Sequence, residues 1–439
     1  MASNPLIGIF RIKELRERVL FTLAMLIVFR IGAVLPIPGI NVAALKAYFL
    51  SQQSTGNSII DYLDFFAGGA FSNFSIFMLG ITPYISMSII MQLLLIIFPG
   101  LKKIAEEEGG KKRIQNYQRL GTIVVCLIQS YTTTLWADQI PNAVMISKWS
   151  YTAIAMMTVT TGTMFLMWIG EQITKRGIGN GTSLLIFAGI VARLPKAITE
   201  LVDKVKTREL NPVFVIVVLA MFAGVIALVV FEQQGQRKIP VHYAKRVVGR
   251  RMYGGQSTYI PFKINPSGVI PVIFASSILT FPLQIANSVG QNVKWLSVVS
   301  SVMTPHGLVY NLLYTLLIIF FAYFYTQVSL NPVEIAKNIR ENGGSIPGIR
   351  TDKIEEYLVS ILNRIILPGS LYLAVIAILP SAVQTVFNFP TTISYLMGGT
   401  SLLILVGVDL DTMSQIEALL KMHHHEGLVK KGKIRSRNL

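Results

Sequence analysis

The sequence predicts an all-α polytopic membrane protein of about ten transmembrane helices, arranged as two inverted five-helix halves that close like a clamshell. Three observations predict it. The 439 residues are 52% hydrophobic and only 14% charged, and the charge collects in a few blocks between long apolar runs, a pattern foreign to a soluble domain. Lys and Arg crowd into alternate loops. One apolar segment too short to cross a bilayer leads directly into one that can.

Taken in order, the apolar runs are residues 19–36, 76–98, 120–137, 152–170, 182–195, 212–231, 268–286, 308–327, 361–380 and 395–408. A span needs about 20 apolar residues, so the shorter runs are expected to be tilted or incomplete helices. No cleavable signal peptide is evident. Lys13, Arg16 and Arg18 stand ahead of a full-length first run, which then acts as an internal signal. The lone Cys126 lies within a run, so disulfides play no part and packing is its expected role.

Orientation follows from the basic residues. They precede the first run, lie between the second and third (Lys102, Lys103, Lys111, Lys112, Arg113, Arg119), and follow the fourth, sixth, eighth and tenth. The intervening loops hold mostly one or none, such as Lys46, Lys148 and Lys294. By the positive-inside rule both termini are cytoplasmic. One loop disobeys: residues 193–211 should be exterior yet carry Arg193, Lys196, Lys204, Lys206 and Arg208.

That loop divides the runs into five and five. An odd number per half forces opposite orientations, the architecture of many channels and transporters. The expected organisation is an N-terminal half at 1–195, an exterior hinge loop at 196–211, a C-terminal half at 212–413 with cytoplasmic loops at 232–265 and 328–357, and a basic cytoplasmic tail at 414–439.

Residues 61–75, DYLDFFAGGAFSNFS, read as a short helix broken by Gly68-Gly69, with Asp61 and Asp64 at its start. Pro83 falls inside the run that follows. A half-length, Gly-broken helix at membrane depth survives only where protein or a water-filled cavity surrounds its backbone. The cavity argues for something passing through.

Ion-coupled carriers keep an ionisable group near the midplane, because charge there is costly and retained only for use. No Asp, Glu, Lys or His lies in the middle of a run, and Glu171, Glu232, Asp409 and Asp411 sit at run ends. Arg30 is the main intramembrane charge, free to snorkel or to bind carbonyls near Gly32. Neither a catalytic set nor a metal-ligand spacing occurs in the apolar region, so no catalytic residue, metal or cofactor is expected. His423-His424-His425 reads as a solvated stretch of the tail, with metal binding the other reading. There is no phosphate loop and hence no ATPase, so energy must come from outside.

More specific are LGITPYISMSIIMQLL (79–94), RIGAVLPIPGI (30–40), RGIGNGTSLLIFAGIVARLP (176–195), PSGVIPVIFASSI (266–278), NPVEIAKNIRENGGSIPGIR (331–350) and GGTSLLILVGVDL (398–410). Together, and in the family's order along the chain, they resemble the SecY family of protein-translocation channels. The resemblance runs from Arg11 to about Leu420. It departs after Arg350, where Thr351-Asp352 replaces the family's usual Pro-Gly, and it does not extend over the tail.

The resemblance implies a central pore whose waist is a ring of aliphatic side chains, matched by Ile81, Ile85, Ile186, Ile190, Ile273 and Ile404. Such a ring seals by dewetting and parts around a polypeptide. Read from spacing alone, 81/85 and 186/190 merely share helix faces, and core or lipid-facing isoleucines fit equally. The short helix matches the family's plug (Phe65, Gly68, Gly69, Phe71), with its small residues able to sit loosely. An interfacial amphipathic helix is the other reading. A lateral gate is implied at Ser86 and Phe281, with the amides Gln92, Gln129 and Asn287 near it, each also explicable as an ordinary interhelical hydrogen bond.

Within the loop at 232–265, IPVHYAKRVVGRR (239–251) alternates apolar and basic residues as a projecting hairpin would. It and the loop at 328–357 are implied docking surfaces, with Arg246, Arg250, Arg251 and Arg350 as contacts, against topogenic charge alone. Implied partners are the small subunits SecE and SecG, the motor SecA, the ribosome, an unfolded polypeptide substrate and lipid. The implied location is the cytoplasmic (inner) membrane. A secondary transporter with inverted repeats is the alternative. An intramembrane enzyme is not expected.

Overall fold

The computed structural model describes residues 12–53, 64, 67–138, 140–208, 211–243, 246–248, 251–253, 257–289, 307–387 and 399–431. The chain divides into two compact units, Met1–Ile198 with Ile404–Leu439, and Thr199–Leu403.

In the first unit the helices are α1 (Lys13–Gly32), α2 (Val42–Gln53), α3 (Thr82–Ile97), α4 (Pro99–Glu106), α5 (Gly110–Ala137), α6 (Lys148–Arg176), α7 (Gly181–Val191) and the start of α8 (Leu194–Lys206). Pro83 stands in the first turn of α3, where a missing N–H costs nothing, and not inside a span as the sequence suggested. The chain bends by 103° between α3 and α4. Phe98, held extended ahead of Pro99 (φ −107°, ψ 103°), is the cause, since a residue before proline avoids the helical region.

Helix α6 is the scaffold of this unit, packed by α1, α5 and α7. Arg119 on α5 grips Glu171 on α6 with both carboxylate oxygens, at 2.6 and 2.8 Å from Nη2. Asn180 caps α7 by accepting from the Thr182 and Ser183 amides, which satisfies donors the first turn leaves open. With 11 residues, α7 is about 16 Å long, roughly half a bilayer's hydrocarbon core.

Helix α8 follows almost at once, so the expected hinge loop at 196–211 is largely helical. Its apolar residues, Leu194, Ala197, Ile198, Leu201, Val202 and Val205, recur three and four apart and form one stripe. That period was present in the sequence, beneath the charges.

In the second unit α8 leads to α9 (Pro212–Gln234), then to strands β1 (Gln236–Tyr243), β2 (Arg246–Val248), β3 (Arg251–Tyr253) and β4 (Ser257–Lys263), and to α10 (Ile270–Val289), α11 (Leu308–Ser329), α12 (Pro332–Glu341), β5 (Gly344–Ser345) and α13 (Ile354–Phe387). The expected hairpin is present. β1 pairs antiparallel with β4 in the register Ile239↔Ile260, and β5 joins the other edge of β1 through Tyr243↔Gly344. The two loops read separately in the sequence thus form one small sheet on an otherwise helical protein. Ile239 and Val241 face inward against Ile339, Ile346 and Leu358, while Lys238 and His242 face outward, the alternation a half-buried strand requires.

A last helix, α14 (Gly399–Lys431), returns to the first unit. Ile416 packs on Leu15 and Ile178, and the Gly179 amide donates to Gln415 Oε1 at 2.9 Å.

Each of the ten expected apolar runs holds a helix among the described residues. Among the described residues, five helical stretches are long and apolar enough to cross a membrane on their own: Gly110–Ala137, Lys148–Arg176, Pro212–Gln234, Leu308–Glu341 and Thr351–Leu379. The bent pair α3–α4 makes a sixth if taken as one span. Helix α7 is short, and α1 carries charged residues at its ends.

Candidate functional site

Residues 67–81 form an irregular and largely buried stretch of the first unit. Asp64 is helical, but from Ala67 to Ile81 the chain runs through successive turns, so no continuous helix spans the expected 61–75. Phe65 lies outside the described residues. The backbone explains the break. Gly68 (φ +65°), Gly69 (φ +87°), Phe74 (φ +45°) and Gly80 (φ +56°) are left-handed, a conformation that cannot propagate a right-handed helix. Gly68 is required twice over, since a Cβ there would lie 2.6 Å from the Gly189 Cα on α7.

The turns are closed by their own hydrogen bonds. The Gly69 amide donates to the Asp64 carbonyl at 3.0 Å, and the Ser72 amide to Asp64 Oδ1 at 2.7 Å. Ser72 Oγ donates to the Gly69 carbonyl at 3.1 Å. Two further bonds tie the segment to the stretch after α1: Ile37 N–H to the Phe74 carbonyl at 2.8 Å, and Ile76 N–H to the Leu35 carbonyl at 3.0 Å.

Small size here means close approach and not looseness, which corrects the expectation. Ala70 and Phe74 are fully buried, and Ala67 and Phe71 nearly so. They belong to one core cluster with Ile37, Leu45, Met78 and Tyr151. Phe71 and Phe74 each lie 5.6 Å from the Trp136 ring of α5, and Tyr48 of α2 meets the same ring at 6.0 Å.

Two arginines reach this segment. Arg30 Nη1 donates to the Gly68 carbonyl at 3.0 Å, not to carbonyls near Gly32, whose flank is filled by the Phe77 ring. Arg193, between α7 and α8, forms a buried ion pair with Asp64. Sequence reasoning missed that pair. The available signals were an acid at the start of the Gly-broken segment and an arginine in the one loop that breaks the charge rule.

Of the six matched isoleucines, Ile81 caps α3 and is buried, Ile85 is half-buried one turn on, and both belong to or pack on the same cluster. Ile186 and Ile190 are buried on α7, and Ile404 on α14. Ile273 is half-buried on α10 of the other unit. Ser86 and Gln92 lie on α3, which packs against α5 carrying Gln129. Gln92 Oε1 and Gln129 Oε1 are buried with no hydrogen-bond partner among the described residues, so the expected amide pairing is not made by these oxygens. Phe281 and Asn287 fall on α10, with side chains outside the described residues.

Arg246 and Arg251 stand on β2 and β3, joined in the register Val248↔Arg251, while Arg250 is outside the described residues. Arg350 is exposed, 3.5 Å from Asp352. No group of three or more metal-ligating side chains occurs among the described residues.

The SecY family model matches residues 75–413. The protein translocase subunit SecY of Borreliella burgdorferi is 49% identical over 417 residues, 94% of this chain and 95% of that one. A solved structure addressing how the plug domain of the SecY protein stabilises the closed translocation channel and maintains a membrane seal is similar, with a TM-score of 0.64, 18% identity and 95% of each chain covered. Sec61 in a canine ribosome-channel complex is similar too, at 0.62 and 18% over 95% of each.

Proposed function

The chain belongs to the SecY family, and from that premise we propose how its parts work as the pore-forming subunit of a protein-conducting channel. It passes unfolded secretory polypeptides across the membrane and releases membrane proteins sideways into lipid. The observation that carries the reading is the turn segment 67–81: irregular backbone, buried in protein, beside a half-length helix. Membrane proteins keep such backbone only where it is buried in protein or lines a water-filled cavity, and in a SecY-family chain a buried stopper in a passage fits it.

We assign residues 61–75 as the plug. Ile81, Ile85, Ile186, Ile190, Ile273 and Ile404 form the waist, a dry aliphatic constriction without directional contacts. We assign Ser86, Gln92 and Gln129 on α3 and α5, and Phe281 and Asn287 on α10, to the lateral gate, and the amide oxygens of Gln92 and Gln129 without partners among the described residues support it, because opening to water or to a polar chain would satisfy them. The chain has no chemistry of its own, and an external motor or a translating ribosome drives it. Partners are the single-span subunit SecE, SecG, SecA and the ribosome, the last in keeping with the complex in which Sec61 is found. It resides in the cytoplasmic membrane with both termini inside.

The sheet of β1, β4 and β5 is the docking platform. Its exposed Arg and Lys residues suit phosphates of ribosomal RNA or an acidic motor surface. Reversing Arg350 to Glu is expected to slow translocation severalfold while leaving assembly intact, since an exposed pair such as Arg350–Asp352 is worth little to stability. Translocation into proteoliposomes and gel filtration measure the two effects. A normal rate would leave these loops a topogenic role only.

The reading as a whole is tested by purifying the protein in mild detergent and reconstituting it. Co-purification of a SecE-like single-span protein and polypeptide transport are the expected results. A stable lone protein that transports a small solute would favour the secondary transporter.

A further inference from the structure

Asp64, at the start of the segment assigned as the plug, has a buried charge partner in Arg193, far along the chain at the junction of α7 and α8. Asp64 and Arg193 are 6% and 9% exposed, and both belong to the first unit. Asp64 is not merely nearby. Its Oδ1 accepts the Ser72 amide at 2.7 Å, and its carbonyl accepts the Gly69 amide, so the carboxylate is built into the turn structure. Arg193 is equally fixed, because its amide donates to the Ile190 carbonyl and its carbonyl accepts from Ala197, at the junction of α7 and α8. Arg30 grips the same turn from α1 through the Gly68 carbonyl. Two cations, one on α1 and one at the junction of α7 and α8, thus hold one loop.

We propose that the Asp64–Arg193 pair is a latch on the plug, and that it helps set how strongly apolar a signal sequence must be before the channel opens. This rests on the reading of residues 61–75 as a plug.

Physical chemistry makes such a pair a switch more than a glue. In a dry site the two charges attract strongly, and loss of one partner strands the other without compensation. Once water fills the passage, both ions are solvated and the attraction collapses. The latch therefore resists the first displacement and offers little resistance after it. A purely apolar plug would instead lose contacts gradually and leave exposed apolar surface in the open state. The position of Arg193 also gains a reason, since this arginine stands in the loop that violates the charge rule and is needed there by its partner.

The test uses the full-length protein with its co-purified partners. The variants are Asp64→Asn, Arg193→Gln, Arg193→Lys, the double Asp64→Asn/Arg193→Gln, and a deletion of residues 64–72 as reference. Ion conductance in planar bilayers and transport of a substrate with a shortened apolar signal core are read for each. Either single neutral variant is expected to raise resting conductance at least about tenfold and to accept the weakened signal. The double variant should be no worse than the singles, since both remove one interaction, and Arg193→Lys should keep most of the seal.

Silent single variants beside a leaky deletion would overturn the latch and leave the plug standing. Strictly additive effects in the double variant would overturn it as well. A silent deletion would overturn the plug itself, and the latch with it. Should a single variant fail to fold, the double, which strands no charge, decides: parent-like conductance and signal demand would sink the proposal.

Discussion

Asparagine in place of Ile404 is expected to raise the resting ion conductance of the reconstituted protein roughly 5- to 150-fold. Ile404 is 1% exposed on α14, so the amide would be buried where an aliphatic side chain now excludes water. Leaving its donor and acceptor unsatisfied costs about 1–3 kcal/mol, and that cost falls on the closed state alone, because the open passage hydrates the amide. The equilibrium shifts by the corresponding factor. The same change at Ile85, already half-buried, should act in the same direction and less strongly. Ile404→Val keeps an apolar surface and should change little. Single-channel recordings decide the matter, and unchanged conductance for both Asn variants would remove these residues from the waist.

Truncating Trp136 to Ala is expected to have a comparable effect by a different route. Its ring is the common seat of Phe71, Phe74 and Tyr48, at 5.6, 5.6 and 6.0 Å. Trp→Ala in a packed site costs about 3–5 kcal/mol, and the half-exposed position of this ring puts the loss near the lower end. The loss is borne by the docked plug, so the variant should leak and should melt at lower temperature in detergent. Trp136→Phe retains an aromatic face and should recover much of both. A variant that melts earlier yet stays ion-tight would mean that Trp136 supports the fold without seating the plug.

Much of the fold was legible because hydropathy and basic residues dominate a membrane chain. The apolar runs found their helices, and alternation in residues 239–251 announced a hairpin. What escaped depended on partners far away in sequence. Nothing local says that Arg30 reaches Gly68, that Asp64 meets Arg193, or that Gly344 joins the edge of β1. From Ala67 to Ser75 turns stand where a helix is expected, because Gly68-Gly69 reads in sequence as a weak point in a helix and is left-handed backbone. Helix α8 was hidden by attention to charge where the apolar period was the better guide. The span containing Pro83 was misread for a similar reason: proline in a first turn starts a helix and does not interrupt one.

The claim on which the rest depends is that the segment around Phe71 seals the resting channel and leaves when a polypeptide enters. Phe71→Cys in a Cys126→Ala background tests it most directly, because position 71 is 4% exposed and Cys126 is the lone native thiol. The rate of labelling by a small water-soluble thiol reagent is measured in proteoliposomes, at rest and with a translocating polypeptide trapped in place. Slow labelling at rest and labelling at least about tenfold faster in the trapped state are expected, as a residue passes from a packed core to a wet cavity. Equal rates in the two states would contradict the account.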